Sequence, residues 1–207
     1  MKIITISREF GSGGRELGKR LADELGFAYY DREIITSIAN SGGRNEDYVK
    51  NALENYNWQN VPLTFRHSFA GSYAMQTAQT NLLLQQKRVI EGIAQTGKDS
   101  VIVGRNADVL LKEYHPFHLF VCADMETKVQ RCIERADMNE QLSRREIERN
   151  IRRIDKNRSW SREIITDSKW GERSAYHLIV NTTDWSIKEL TPSVADFINS
   201  WFGRTKI

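Results

Sequence analysis

The sequence predicts an α/β fold in which a parallel sheet is flanked by helices, and three observations carry that expectation. Short β-branched runs alternate with segments of helical apolar spacing, the pattern of parallel strands joined by helical crossovers. The chain opens with a strand, a glycine-rich turn and a helix. Polar residues, several arginines among them, follow the predicted strands, and ligands of an open α/β sheet bind beyond those carboxyl ends. The length of 207 residues suits a single domain over 1–207 that carries an insertion.

Residues 2–7 are short, β-branched and bounded by a loop, so they read as a buried strand. Gly11-Ser12-Gly13-Gly14 is a turn. From Arg15, Leu17, Leu21, Ala22 and Leu25 follow helical spacing, and Gly26 supplies a C-terminal stop. A second strand covers 27–30 and ends at Asp31. Residues 32–97 hold no strand pattern: helical spacing surrounds Ile34, Ile35, Ile38 and Ala39 and returns from Met75 to Ala94. Between these lies an aromatic, polar stretch with Tyr48, Tyr56, Trp58, Phe65, Phe69 and Tyr73, so this region reads as a mostly helical insertion. Strand 100–104, helix 108–113, strand 117–122 and helix 126–136 follow. A long arginine-rich helix covers 143–165, and strand 177–180 and helix 186–202 close the chain. Pro62, Pro116 and Pro192 fit loops or helix starts.

Composition excludes several classes. Hydrophobic residues make up 40% and charged residues 28%, as in soluble globular proteins. No apolar run approaches the ~20 residues of a membrane helix, and the apolar start is too short for a signal peptide, so a cytoplasmic location is expected. Cys122 and Cys132 cannot build a disulfide framework, and His67, His115, His118 and His177 have no zinc spacing. The formal charge of +3 argues against a general nucleic-acid coat. Nothing in the sequence speaks to oligomeric state.

The predicted strands are followed by Arg8, by Asp31 and Arg32, by Arg105 and Asn106, by Asp124, and by Asn181, Thr182 and Thr183. Arginines beside a glycine turn on one sheet edge point to an anionic ligand, chiefly phosphate. Gly11, Gly13 and Gly14 let backbone N–H groups approach a phosphate closely, and the following helix aims its positive end at the same point. The turn does not satisfy G-x-x-x-x-G-K-S/T. A partial match from Gly13 to Lys19 would place Gly18-Lys19 a turn inside the helix, so it is rejected.

Residues 144–162 carry eight basic and three acidic side chains, a local +5, and the other 188 residues net −2. Ile147, Ile151 and Ile154 form an apolar stripe, with Arg149, Arg153 and Lys156 on the opposite, solvated side. Asp155, Arg158 and Arg162 fall within about 40° of Ile151 on an unbroken helix. Inward arginines need a partner or an anionic ligand; Asp155 and Arg158, three apart, can pair with each other. Arg131 and Arg135, four apart on the preceding helix, are placed to close over phosphates.

Residues 6–17 (Ile6-Ser7-Arg8-Glu9-Phe10-Gly11-Ser12-Gly13-Gly14-Arg15-Glu16-Leu17) resemble the opening of the cytidylate-kinase-like family of P-loop proteins. Tyr29-Tyr30-Asp31, Val103-Gly104-Arg105-Asn106-Ala107-Asp108, Asp155-Lys156-Asn157-Arg158, Trp170-Gly171 and the stretch 176–182 extend the resemblance collinearly over almost the whole chain. It implies a P-loop kinase-like parallel sheet, a monophosphate-binding insertion over about 32–97 and a lid over about 131–145. The implied reaction is transfer of the ATP γ-phosphoryl group to a nucleoside monophosphate, nominally cytidylate, with Mg²⁺. Arg15, Arg105, Arg131, Arg135 and Arg158 would be catalytic cations. Arg8, Gly11, Ser12, Gly13, Gly14, Arg15, Glu16, Asn181 and Thr182 would hold the ATP. Asp31, Arg32, Arg105, Asp155 and Arg158 would hold the acceptor; Asp155 and Arg158 match the pair that contacts cytidine monophosphate in that family. The departures are specific. Gly14 stands where the cytidylate kinases carry the phosphate-binding lysine, and Arg15-Glu16 where they carry a Ser/Thr pair with the magnesium ligand. Arg15 is thus the expected substitute charge and Glu16 the candidate metal ligand. Arg32, Thr36 and Ser37 stand where those kinases hold the monophosphate. Two alternatives stay open: a kinase-fold nucleotide-binding regulator without transfer, and a kinase of another small metabolite.

Overall fold

The computed structural model of the chain describes residues 1–31, 76–136 and 143–204. The helical spacing at 34–39, the aromatics of 48–73 and Arg32, Thr36 and Ser37 lie outside the described residues, as do residues 137–142 of the expected lid.

The β-branched opening forms β1 (Ile3–Arg8), and the spacing from Leu17 to Leu25 forms α1 (Gly14–Leu25). Gly26 ends α1 in the left-handed conformation, its N–H returning to the Ala22 carbonyl. The chain then forms β2 (Ala28–Tyr30) and, past the insertion, α2 (Gln76–Gln95), β3 (Ser100–Val103) and α3 (Ala107–Leu110). A 3-10 turn (Lys112–Tyr114) leads to β4 (Phe117–Cys122), α4 (Met125–Glu134) and α5 (Arg144–Glu163). A second 3-10 turn (Arg173–Ala175), β5 (Leu178–Asn181) and α6 (Ile187–Gly203) complete the chain.

The five strands form one parallel sheet in the order β2-β3-β1-β4-β5. β1 is central, Ile4 standing opposite Val101 of β3 and Phe117 of β4. The step from β3 to β4 therefore crosses β1, and the point where the chain switches sides lies at the end of β1, the usual ligand position in such sheets. Ile3, Ile4, Ile6, Val101, Ile102 and Val103 are buried, as strands covered on both faces should be. A smaller cluster of Phe10, Val129, Cys132, Ile147 and Ile151 joins the glycine turn to α4 and α5.

Two expectations are corrected. The helix expected over 108–113 breaks after Leu110 into the 3-10 turn, and His115 takes a left-handed φ of 48°. Pro116 follows, and its ring steers the preceding residue out of the helical region. Pro192 sits inside α6 rather than at its start; the amide hydrogen it lacks removes the helical bond to the Lys188 carbonyl.

Candidate functional site

The glycine turn leaves the end of β1 pressed between α4 and α6. Gly11 and Gly13 have φ of 79° and 80°, the region where a Cβ is unfavourable. A Cβ at Gly11 would lie 2.8 Å from the Lys128 carbonyl oxygen, and one at Gly13 would lie 2.5 Å from Ile187 Cδ1. Gly13 is the N-cap of α1 and brings no side-chain acceptor to its first-turn N–H groups. The positive end of α1 is therefore presented uncapped at the centre of the sheet edge. Gly18 lies a turn inside α1 with its Cα against Val103, and Lys19 pairs with Asp23 of the same helix at 3.6 Å, so neither belongs to the turn.

On the β2–β3 side, Arg15 Nε donates to Asp31 Oδ2 at 2.6 Å. The hydroxyl of the fully buried Tyr29 lies 3.3 Å from both that oxygen and the Arg15 carbonyl. Burial, with the Asp31 charge beside it, pushes the Tyr29 hydroxyl far above its ordinary pKa, so it stays a neutral donor. Gly104, Arg105 and Asn106 follow β3 with consecutive φ of 83°, 59° and 53°. The Asn106 amide anchors this left-handed turn by donating to the Ser161 carbonyl and hydroxyl, each at 3.2 Å. Arg8 runs between the two groups: its Cβ lies over Gly14 and its guanidinium lies against Gly104.

Below the turn, α5 delivers the side chains that its periodicity places inward. Asp155 Oδ1 accepts from the Phe10 N–H at 2.7 Å and from Arg158 Nη1 at 3.3 Å, and the same Nη1 donates to the Arg8 carbonyl at 2.8 Å. Burial pushes the Asp155 carboxyl up, against the pull of Arg158 and the Phe10 N–H. The buried Lys128 of α4 sits 2.9 Å from Glu9 and 4.0 Å from Asp155. Arg162, also inward, pairs with the buried Asp108 and donates to the Ser168 carbonyl at 3.0 Å, a structural tie away from the turn. Arg149, Arg153 and Lys156 are exposed, as the periodicity requires.

On the β4–β5 side, two of the expected ligand residues make hydrogen bonds within the fold. Arg131 is buried, and its guanidinium donates to Thr182 Oγ1 at 2.8 Å and to the carbonyls of Thr182 and Trp185, both at 2.9 Å. Three acceptors of the post-β5 loop thus surround its head. The buried Thr182 hydroxyl donates to the Ser12 carbonyl at 2.7 Å, and Ser12 Oγ donates to the Glu9 carbonyl at 2.8 Å. Both hydroxyls brace the turn from behind. Asn181 is exposed and accepts from Thr183 N and Oγ1 at 3.0 and 2.8 Å. Arg135 pairs with Glu16, which Arg20 also holds at 2.8 Å.

That pairing bears on the metal. Glu16 lies between two guanidinium groups; Asp31 is paired with Arg15, Glu9 with Lys128, and Asp155 with Arg158. Each of these four carboxylates carries a cationic partner, whereas Asp124, just past β4, is exposed and accepts from the Thr127 N–H at 2.7 Å. A Mg²⁺ ion at Glu16 would have to compete with Arg20 and Arg135 for that carboxylate.

Sequence reasoning missed Lys128, Glu9 and Tyr29. Lys128 had a readable signal: it shares a face of α4 with Met125 and Cys132, at spacings of three and four, and so faces inward. Glu9 has none, since Lys128 lies 119 residues along the chain, whereas Tyr29 stands two residues before its partner Asp31.

Among solved structures, an uncharacterized protein from Eubacterium ventriosum matches with a TM-score of 0.71 at 22% identity, over 97% of this chain and 99% of that one. Shikimate kinase from Acinetobacter baumannii, in complex with shikimate, matches at 0.55 and 14% identity, over 99% and 96% of the two chains. Shikimate kinase from Bacteroides thetaiotaomicron matches at 0.55 and 12% identity, over 96% and 98%. These likenesses establish a shared α/β kinase fold. No curated protein matches in sequence. The model of the cytidylate kinase-like family spans residues 3–184, from the first residue of β1 past the end of β5, and the chain belongs to that family.

Proposed function

We propose that the protein transfers the γ-phosphoryl group of ATP to a nucleoside monophosphate, with cytidylate the first acceptor to test. The observation that carries the reading is the left-handed Gly11–Gly13 turn. It leads from the central strand into an uncapped helix N-terminus, beside Arg8, Arg15, Arg135 and Arg158. The donor triphosphate would lie on the N–H groups of the turn and of the first turn of α1. The acceptor would lie toward Asp31, Arg105, Asp155 and Arg158. An oxygen of the acceptor phosphate attacks the γ-phosphorus, the bond from that phosphorus to the β–γ bridging oxygen breaks, and ADP leaves with the electron pair. The attacking oxygen is already ionised near neutral pH, so no general base is needed. Positioning and neutralisation of charge suffice, which is work that arginines can do. Mg²⁺ enters as part of the substrate, chelated by the donor's own phosphates and water.

The test is a panel of nucleoside monophosphates with ATP and Mg²⁺, product being identified by chromatography. Formation of a nucleoside diphosphate beyond ADP, with cytidylate or another member, is the expected result; no product from any member overturns the reading. One observation favours a second reading, a nucleotide-binding regulator without transfer: Gly14 puts no side chain at all where the family resemblance implies a lysine. Tight ATP binding with an empty product panel would select it.

A further inference from the structure

The site as built raises the question of which side chain supplies the positive charge at the mouth of the glycine turn, where the sequence nominates Arg15. Arg15 emerges from the first turn of α1, but its Nε is 2.6 Å from Asp31 Oδ2, at the end of β2. Its charge is matched locally by a nearly inaccessible carboxylate. Arg8 leaves from another element. It is the last residue of the central strand, where the chain changes sides of the sheet.

Two glycines define the path of the Arg8 side chain. A Cβ on Gly14 would lie 2.6 Å from Arg8 Cβ and 3.0 Å from its Cγ. A Cβ on Gly104 would lie 1.8 Å from Arg8 Nη1 and 2.8 Å from its Cζ. Gly14 thus makes room for the base of the side chain and Gly104 for its head. Two positions with no side chain, one on α1 and one after β3, form a channel filled by a single arginine. Gly14 is the first residue of α1, so the base of Arg8 packs against the start of that helix. The head lies against Gly104, just past the end of β3.

We infer that Arg8, laid through the Gly14–Gly104 channel, is the phosphate-binding cation of the glycine turn, and that Arg15 is a positioning residue that holds Asp31. The absence of a side chain at position 14 is then part of the site: a lysine there would occupy the space of Arg8 Cβ. This inference rests on the phosphoryl-transfer reading for its reaction but on the channel alone for its phosphate.

The experiment is a double-mutant cycle read by calorimetry, with inorganic tripolyphosphate as the probe and ATP beside it. Arg8→Ala should weaken tripolyphosphate binding by about tenfold or more, the scale of one lost charge-assisted contact, and Arg8→Lys should recover part of it. Gly104→Ala should weaken binding comparably, because its methyl displaces the guanidinium. In the Arg8→Ala background the same Gly104→Ala change should add less than about twofold, since nothing remains to displace. Arg15→Ala should weaken binding less than Arg8→Ala does. Thermal melts of each variant identify any that fail to fold, and Arg8→Gln replaces Arg8→Ala in that event. Three results overturn the inference: binding within about twofold of the parent on loss of Arg8, losses from Arg8→Ala and Gly104→Ala that multiply, or no tripolyphosphate binding by the parent protein. An empty monophosphate panel with an intact cycle removes the kinase reading and leaves Arg8 standing. Turnover on the panel with a failed cycle does the reverse.

Discussion

Arg131 is a cation near the site that is also tied into the fold. Its guanidinium ties α4 to the segment after β5 through Thr182 and Trp185. Removing it leaves two carbonyls and a hydroxyl to find new partners in a buried place. Arg131→Ala should therefore destabilise the protein by about 2–4 kcal/mol in urea denaturation. Its effect on ATP affinity in the protein that remains folded should be smaller than that of Arg8→Ala. A large loss of ATP affinity with unchanged stability would return Arg131 to the ligand. Position alone does not separate the two roles, because a guanidinium that meets carbonyls and one that meets phosphate occupy the same inward face of a helix. The sequence could place Arg158 inward beside Asp155, three residues away. The Thr182 hydroxyl that Arg131 meets and the Arg8 carbonyl that Arg158 meets are about 50 and 150 residues distant along the chain, and no local pattern encodes those contacts.

At the scale of elements, local physics was readable and crossings were not. β1, β3 and β4 are β-branched or aromatic runs that end in polar loops, and the structure places them within a residue of expectation. α5 begins where Ser143 accepts from the Glu146 N–H and Glu146 reaches back to Ser143 N, at 2.8 Å. This capping box predicts that Ser143→Ala costs about 1 kcal/mol, measurable as a lower denaturation midpoint with unchanged slope. No change in midpoint would show that the inward packing of Ile147 and Ile151 holds the helix start without the cap. Gly18 gives a prediction at the contact of α1 with the sheet. A Cβ there would lie 2.7 Å from Val103 Cγ2, so Gly18→Val should cost about 1–3 kcal/mol by overpacking. The strand order β2-β3-β1-β4-β5 was not written in any single element. It follows from which strands pair, and it is what brings Arg8, Gly104 and Asp31 to one edge.

Across the whole molecule, the two ends of the sheet carry different chemistry. The carboxyl ends hold the arginines, whereas the amino ends of β4 and β5 hold a stacked histidine pair, with His118 and His177 rings 5.0 Å apart. His118 Nδ1 lies 2.8 Å from Thr5 Oγ1, and burial pushes its pKa down to about 4, with His177 and Arg162 adding to the shift and Asp108 opposing it. His177 is lowered too, by burial first and then by Arg204. The unfolded chain binds these protons at about pH 6.5, whereas folded His118 resists protonation until about pH 4. Its contribution is therefore complete above the unfolded value and lost as pH falls between the two. The melting temperature should drop on acidification from pH 7.5 to 5, and His118→Gln should flatten that slope; an unchanged slope would contradict the assignment. The phosphate edge makes the larger claim, that charge concentrated at one end of a parallel sheet moves a phosphoryl group between two nucleotides. The most direct measurement supplies ATP labelled at the γ-phosphorus, with Mg²⁺ and cytidylate, and follows the label. The account predicts label in cytidine diphosphate, formed one for one with ADP and faster than inorganic phosphate. Label that stays in ATP, or passes only to inorganic phosphate, would contradict it.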